Sequence, residues 1–235
     1  MQITELAIEV TRRCNMNCWH CLRGDAENLD LNLDYVENLF QKVSSIGTLI
    51  ITGGEPSLVP SILNGIIDLA NKYKIDVNGF YLVTNGKKIT MEFIHTLLRM
   101  YVEWGDCFDE DIPCVQWSND NYHENIEKEN IRLLKALRFA TPKSQDDNKE
   151  YTCIDEGRAS LYVGNCRAAT IEEFDIENDE IVEGLIYLNC KGNIIAGCNW
   201  SYESQDDTEH DCFICSVSDF NLDKVVSYAD NEVLV

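Results

Sequence analysis

Along the first 140 residues the hydrophobic pattern changes period repeatedly. "ITELAIEV" (3–10) alternates like a half-buried strand, and after a polar, cysteine-bearing loop Leu33, Val36, Leu39, Phe40, Val43 and Ile46 recur at helical spacing. "TLIIT" (48–52) predicts a short strand running into "GGEP". Val59, Ile62, Leu63, Ile66, Ile67 and Ala70 predict a second helix. "VNGFYLVTNG" (77–86) predicts a third strand, and "TMEFIHTLLRMY" (90–101) a third helix with Thr90 as its N-cap. "CVQWS" (114–118) predicts a fourth strand and residues 123–139 a fourth helix.

Strand–helix repetition of this kind builds a parallel sheet or barrel, whose functional groups collect at the C-terminal strand ends. The loops there are "TRRCNMNC" (11–18), "TGGEP" (52–56), "TNGK" (84–87) and "SNDNYH" (118–123), so four separate stretches are expected to converge on one face. "TPKSQDDNKE" (141–150) is a polar break. Residues 143–165 leave no room for another full strand–helix pair. "EGLIYLNCKGNIIAGCNWSY" (183–202) predicts a β-hairpin turning at Lys191-Gly192, where glycine takes positive φ. An acidic loop, "ESQDDTEHD", then precedes "CFIC", and Leu222, Val225, Val226 and Tyr228 mark a closing helix.

Composition narrows the function. A formal charge of -22 repels phosphates, and no basic stripe offsets it, so nucleic acid is not an expected partner. No apolar run approaches the ~20 residues that a bilayer demands, and the N-terminus lacks signal-peptide features. A cytoplasmic location without membrane contact is expected. In a reducing compartment the 11 cysteines point to metal or redox chemistry rather than disulfides. Cys14, Cys18 and Cys21 are spaced C-x3-C-x2-C. Zinc sites want four ligands, whereas three thiolates on a four-iron cluster leave one iron open.

With this triplet and the "GGEP" of residues 53–56, the chain resembles the radical SAM superfamily. The resemblance covers residues 1 to about 140 well. It implies an α/β fold, a partial (β/α)6-type barrel (1–165), followed by a small β-hairpin-plus-helix metal-binding extension (166–235). It further implies that Cys14, Cys18 and Cys21 hold a [4Fe-4S] cluster that binds S-adenosylmethionine (SAM). Reductive cleavage then yields a 5′-deoxyadenosyl radical for hydrogen abstraction, with electrons from a separate donor. Cofactor contacts are implied for Gly53 and Gly54, whose missing side chains admit the SAM amino group, and for Glu55 and Pro56, which fix the turn. His20, Asn85, Ser118 and Arg158 (in "GRA", 157–159) complete that set, the alternatives being a cluster-proximal hydrogen-bond donor for His20, a turn residue for Asn85, a strand-end residue for Ser118 and a surface arginine for Arg158. Asp120 and His123 at the mouth are acid–base candidates, with a helix-start pair as the alternative. Cys153, like Cys107 and Cys114, is a candidate for returning a hydrogen atom, with simple burial as the alternative.

The hairpin followed by Cys198 and then Cys212-x2-Cys215 is similar to the twitch and SPASM extensions of the superfamily. That implies a second [4Fe-4S] cluster on Cys198, Cys212, Cys215 and Cys166, with Cys190 as the alternative fourth ligand and structural zinc as the alternative metal. Because such extensions accompany peptide and protein modification, a peptide or protein substrate is expected, cationic given the chain's charge. With the cluster motif beginning at residue 14, no peptide-recognition domain is expected ahead of the barrel. Small-molecule or nucleoside tailoring, or a non-catalytic iron–sulfur regulatory protein, are the other functional classes.

Overall fold

The computed structural model describes residues 1–105, 114–118, 122–143, 153–161, 166–178 and 180–232. Its elements begin with β1 (Gln2–Glu9), α1 (Leu33–Phe40), β2 (Ser45–Thr52), α2 (Pro60–Tyr73), β3 (Asp76–Thr84) and α3 (Met91–Trp104). Then come β4 (Val115–Ser118), α4 (Lys128–Lys135), β5 (Ala140–Lys143) and the two-residue strands β6 (Cys153–Ile154) and β7 (Cys166–Arg167). The remainder is β8 (Asp175–Glu177), β9 (Glu180–Leu188), β10 (Asn193–Ala196), α5 (Tyr202–Asp206), β11 (Phe213–Ser216) and α6 (Leu222–Glu232).

The main sheet runs β11-β10-β9-β1-β2-β3-β4-β5, with β8 paired to β9. Strands β1 to β5 are mutually parallel, and β9 joins β1 in parallel, with Leu6 opposite Ile186. This is the α/β, partial-barrel architecture expected. Side-chain alternation divides the sheet into two faces. Leu6, Ile8, Leu49, Ile51, Ile186 and Leu188 pack under the helices in the main core, with Phe40, Ile67 and Leu97 from α1, α2 and α3. Ala7, Leu185, Tyr187 and Ile195 point to the opposite, inner face, where Trp200 covers them.

Local chemistry accounts for the helix starts. Thr90 caps α3, its Oγ1 accepting from the Phe93 N–H at 3.1 Å, and Asn32 caps α1 in the same way through Asp34 N–H. Four boundaries depart from the pattern-based expectation. Helix α1 ends at Phe40, and Ile46 belongs to β2 opposite Ile3, because a short apolar run fits either period. Helix α4 is confined to Lys128–Lys135, while Tyr122 and His123 ahead of it pack against the cysteine loop. Strand β5 runs into the predicted polar break. Its Pro142 has no N–H to give a ladder, which an edge strand tolerates. Helix α5 runs into the predicted acidic loop, capped by Ser201.

The hairpin is as expected: β9 and β10 are antiparallel and turn at Gly192, whose φ is +82°. Strand β11 pairs with β10, and α6 follows. Because β9 lies against β1, however, residues 180–216 extend the same sheet instead of forming a second one. No helix among the described residues is long and apolar enough to cross a membrane.

Candidate active site

The loop from Thr11 to Asp25 leaves the C-terminal end of β1 and carries Cys14, Cys18 and Cys21, all three half-buried. Its internal backbone hydrogen bonds are few and long, Cys21 N–H to Cys18 O and Gly24 N–H to Cys21 O at 3.3 Å each, so its shape depends on neighbours. The first neighbour is "GGEP". Gly54 N–H donates to Thr11 O at 2.7 Å and Glu55 N–H to Arg13 O at 2.9 Å. A Cβ on Gly53 would sit 2.3 Å from Thr11 O, and one on Gly54 2.3 Å from Arg13 O. The glycines therefore admit the cysteine loop's own backbone. This close approach fixes where the triplet begins.

Glu55 is buried and ties three loops together. Its carboxylate accepts from Ser57 N–H, from Thr84 Oγ1 at 2.6 Å and from Asn85 N–H at 2.7 Å. Burial pushes its carboxyl pKa up, and these hydrogen bonds oppose the shift. Pro56 opens the short helical turn that follows. From "TNGK", Asn85 Nδ2 donates to Asn15 Oδ1 at 2.8 Å and lies 3.8 Å from Cys14 Sγ, and Lys87 Nζ donates to Asn15 O at 2.9 Å. Arg158 meets the loop from the other side. Its N–H donates to Cys21 O at 3.0 Å, its Nε to Cys18 O at 2.9 Å and its Nη1 to Asn17 and Asp25.

Three further expectations fall at this end of the sheet. His20 meets the His123 ring edge-on at 4.8 Å between centroids, and Trp19 and Tyr122 complete the aromatic group. Ser118 is buried at the end of β4. Asp120 and Cys107 lie outside the described residues. The pattern did not single out Arg12, Arg23, Glu9 or Asp206. Arg12 is fully buried with its Nε on Glu9 and a two-pronged pair to Asp206, each prong 2.8 Å. The one available signal was an arginine two residues before a cysteine at the end of a buried strand.

Burial, then the neighbouring Cys21 and Cys14, pushes the Cys18 thiol up to about 11. Burial also raises Cys14, with Glu55 and Cys21 adding to it, while N–H groups of Met16 and Asn15 at its sulfur act the other way. Closely set thiols that resist ionisation together need a cationic centre to become thiolates. Three thiols on one loop with N–H donors at a sulfur therefore fit a cluster of irons. Among the described residues no three His, Cys, Asp or Glu side chains close around a single ion.

The C-terminal cysteines are arranged differently. Cys215 and Cys190 are buried in the main core beneath the helices, whereas Cys212 and Cys198 belong to the inner-face cluster. Cys212 lies in the turn before β11 and Cys215 within that strand, whose pairing with β10 shifts register between them. Cys190 donates both its N–H and its thiol to Glu9, at 3.1 Å and 3.2 Å. Cys166 faces Cys153 across β6 and β7, and its thiol lies 3.6 Å from Ala159 O. The structure thus divides the second ligand set between two faces of the sheet. Cys114 is buried at the start of β4, in keeping with a packing role.

Comparison with known proteins bears on residues 8–108, which match the family model of the radical SAM superfamily. An uncharacterized protein of Methanocaldococcus jannaschii is 27% identical over 108 residues, covering 44% of this chain and 38% of that one. An AdoMet-dependent heme synthase of Methanosarcina barkeri is 33% identical over 98 residues, covering 39% of this chain and 27% of that one. The matches thus span between a quarter and two fifths of those relatives' own length. A solved structure of native anSMEcpe with bound AdoMet and Kp18Cys peptide superposes with a TM-score of 0.62 at 10% identity, covering 100% of this chain and 83% of the other. That likeness establishes the fold. The family match takes in the cysteine loop and the glycine turn welded to it, so residues 8–108 are similar to the radical SAM superfamily in sequence.

Proposed function

We propose that the protein is a radical SAM enzyme whose single cluster site is the loop of Cys14, Cys18 and Cys21. The observation that carries this is the convergence on that loop of "GGEP", "TNGK" and Arg158 through the hydrogen bonds described above. When bound, a [4Fe-4S] cluster and SAM supply reductive sulfur–carbon cleavage and hydrogen abstraction. The chain's own part is placement. Glu55 locks the ends of β2 and β3, Asn85 offers an N–H to Cys14 Sγ, and Arg158 holds Cys18 and Cys21 through their carbonyls. The aromatic group of Trp19, His20, Tyr122 and His123 joins the loop to the segment ahead of α4. Ser118 and the Gly53–Pro56 turn line the remaining approach to SAM.

A peptide or protein is the substrate class we favour, since the fold neighbour is a protein crystallised with a peptide. A cationic peptide suits a chain of charge -22, attracted over a Debye length of roughly 8–10 Å. Small-molecule tailoring is the second reading, because a sequence relative is named a heme synthase. Anaerobically reconstituted protein with dithionite is expected to release 5′-deoxyadenosine from SAM, and Cys18→Ala to release none. Equal release by the variant would refute the assignment. Deuterium passing from a labelled cationic peptide into 5′-deoxyadenosine supports the first substrate class, and transfer only from a small metabolite supports the second.

A further inference from the structure

The cysteine loop is tied at both ends to one short segment almost two hundred residues away. Before the triplet, Arg12 spends its whole guanidinium on carboxylates: Nε on Glu9 at 3.0 Å, Nη1 on Glu27 at 3.1 Å, and both Nη groups on Asp206 at 2.8 Å. Its plane lies 4.4 Å from the centre of the Tyr202 ring. After the triplet, buried Arg23 donates from Nη1 to Trp200 O at 2.6 Å, and its own carbonyl accepts from Tyr202 N–H at 3.0 Å. A third tie runs through Glu156, which accepts from Ser201 N–H and Ser204 Oγ and sits two residues before Arg158. Residues 200–206 are anchored in turn, because Asn189 and Asn193 of the hairpin donate to Gln205 O.

We infer that residues 200–206 are a buckle that positions the cluster loop, with Asp206 and Arg12 as positioning residues. A loop with only two long internal backbone–backbone hydrogen bonds leans on its neighbours to hold three thiols at fixed separations. Here its two ends are clasped by one segment through a bidentate, charge-assisted pair and a backbone exchange. Without Asp206, Arg12 keeps Glu9 and Glu27 but loses its bidentate partner and its tie to this segment. The C-terminal region then serves the first cluster by fixing its loop, without carrying a metal itself.

The inference rests on the proposal that Cys14, Cys18 and Cys21 bind the cluster, but its test does not. In full-length protein free of metal, Asp206→Ala is expected to speed amide exchange at Arg12, Cys21 and Gly24 by roughly tenfold or more, while β2 and β3 amides keep their rates. Asp206→Asn, which keeps the shape and removes the charge, gives a smaller acceleration and serves if the alanine variant does not fold. Lys191→Ala removes the other partner of Asp206, 2.6 Å away on the solvent side, and leaves the loop rates unchanged. In reconstituted protein, Asp206→Asn broadens the paramagnetic resonance of the reduced cluster and hastens iron loss to a chelator. Unchanged loop exchange in a folded Asp206 variant overturns the inference, and so does an equal acceleration in Lys191→Ala. Wild-type protein that binds no iron would instead refute the cluster assignment and leave the buckle standing.

Discussion

Two cysteine-rich regions of this chain look alike on paper and behave oppositely in the fold. In the first, Cys14, Cys18 and Cys21 sit on an irregular loop, half-buried, with their carbonyl and amide neighbours gripped by four other segments. In the second, Cys190, Cys198, Cys212 and Cys215 sit on or beside strands that distribute them between two faces of a sheet. Spacing announces a metal site where a loop is free to curl around it. Here a turn and an irregular strand place Cys212 and Cys215 in different packing clusters. The second region's task is then mechanical, through Trp200, Tyr202 and Asp206.

The largest test of this contrast is at the glycine turn. Gly53→Ala places a methyl group 2.3 Å from Thr11 O at a φ of +135°, and should destabilise the protein by about 2–4 kcal/mol and abolish iron retention. Chemical denaturation reads the first effect and an iron assay the second. If both stay at wild-type levels, the turn does not fix the triplet. A smaller effect separates the other thiols from catalysis. Cys190→Ser and Cys215→Ser each bury a new hydroxyl in the core, costing roughly 1–3 kcal/mol, yet should leave SAM cleavage per bound cluster unchanged. Loss of cleavage by a well-folded Cys215→Ser would restore a metal-binding role to that residue.

The smallest expected effect depends on pH. Burial pushes the Asp206 carboxyl up, but hydrogen bonds and charge from Arg12 and Lys191 outweigh it and hold its pKa below the ordinary 3.8. A lowered carboxyl pKa contributes stability that is fully present above about 3.8 and is lost as pH falls through the folded value. The stability gap between wild type and Asp206→Asn should therefore be constant near neutrality and narrow below that point. A gap that widens on acidification would mean that Asp206 is not held as a paired carboxylate.

Much of the fold is legible because strand and helix periods alternate cleanly through residue 104, and Thr90 and Gly192 mark their boundaries with the chemistry expected of a cap and a turn. β5 is hidden because an edge strand can be polar and contain Pro142. α5 is hidden because five residues give no period, though Ser201 before them is a cap signal. At this end of the sheet, local motifs pointed to the triplet, Glu55, Asn85 and Arg158, and the structure brings these residues together. Arg12, Arg23 and Asp206 were not, since their meaning lies in contacts 177 and 194 residues apart in sequence. The role of Gly53 and Gly54 was half visible: a close approach was predictable, but not that the approaching atoms belong to Thr11 and Arg13.

The central claim is that one region binds a cluster and the other does not, and counting iron and sulfide tests it directly. The Cys14/Cys18/Cys21→Ala protein, reconstituted anaerobically, should bind neither, while Cys198/Cys212/Cys215→Ser should keep about four of each per chain, the content of one [4Fe-4S] cluster. Retention of about four irons and four sulfides by the first variant would contradict the account and place a cluster among the C-terminal cysteines.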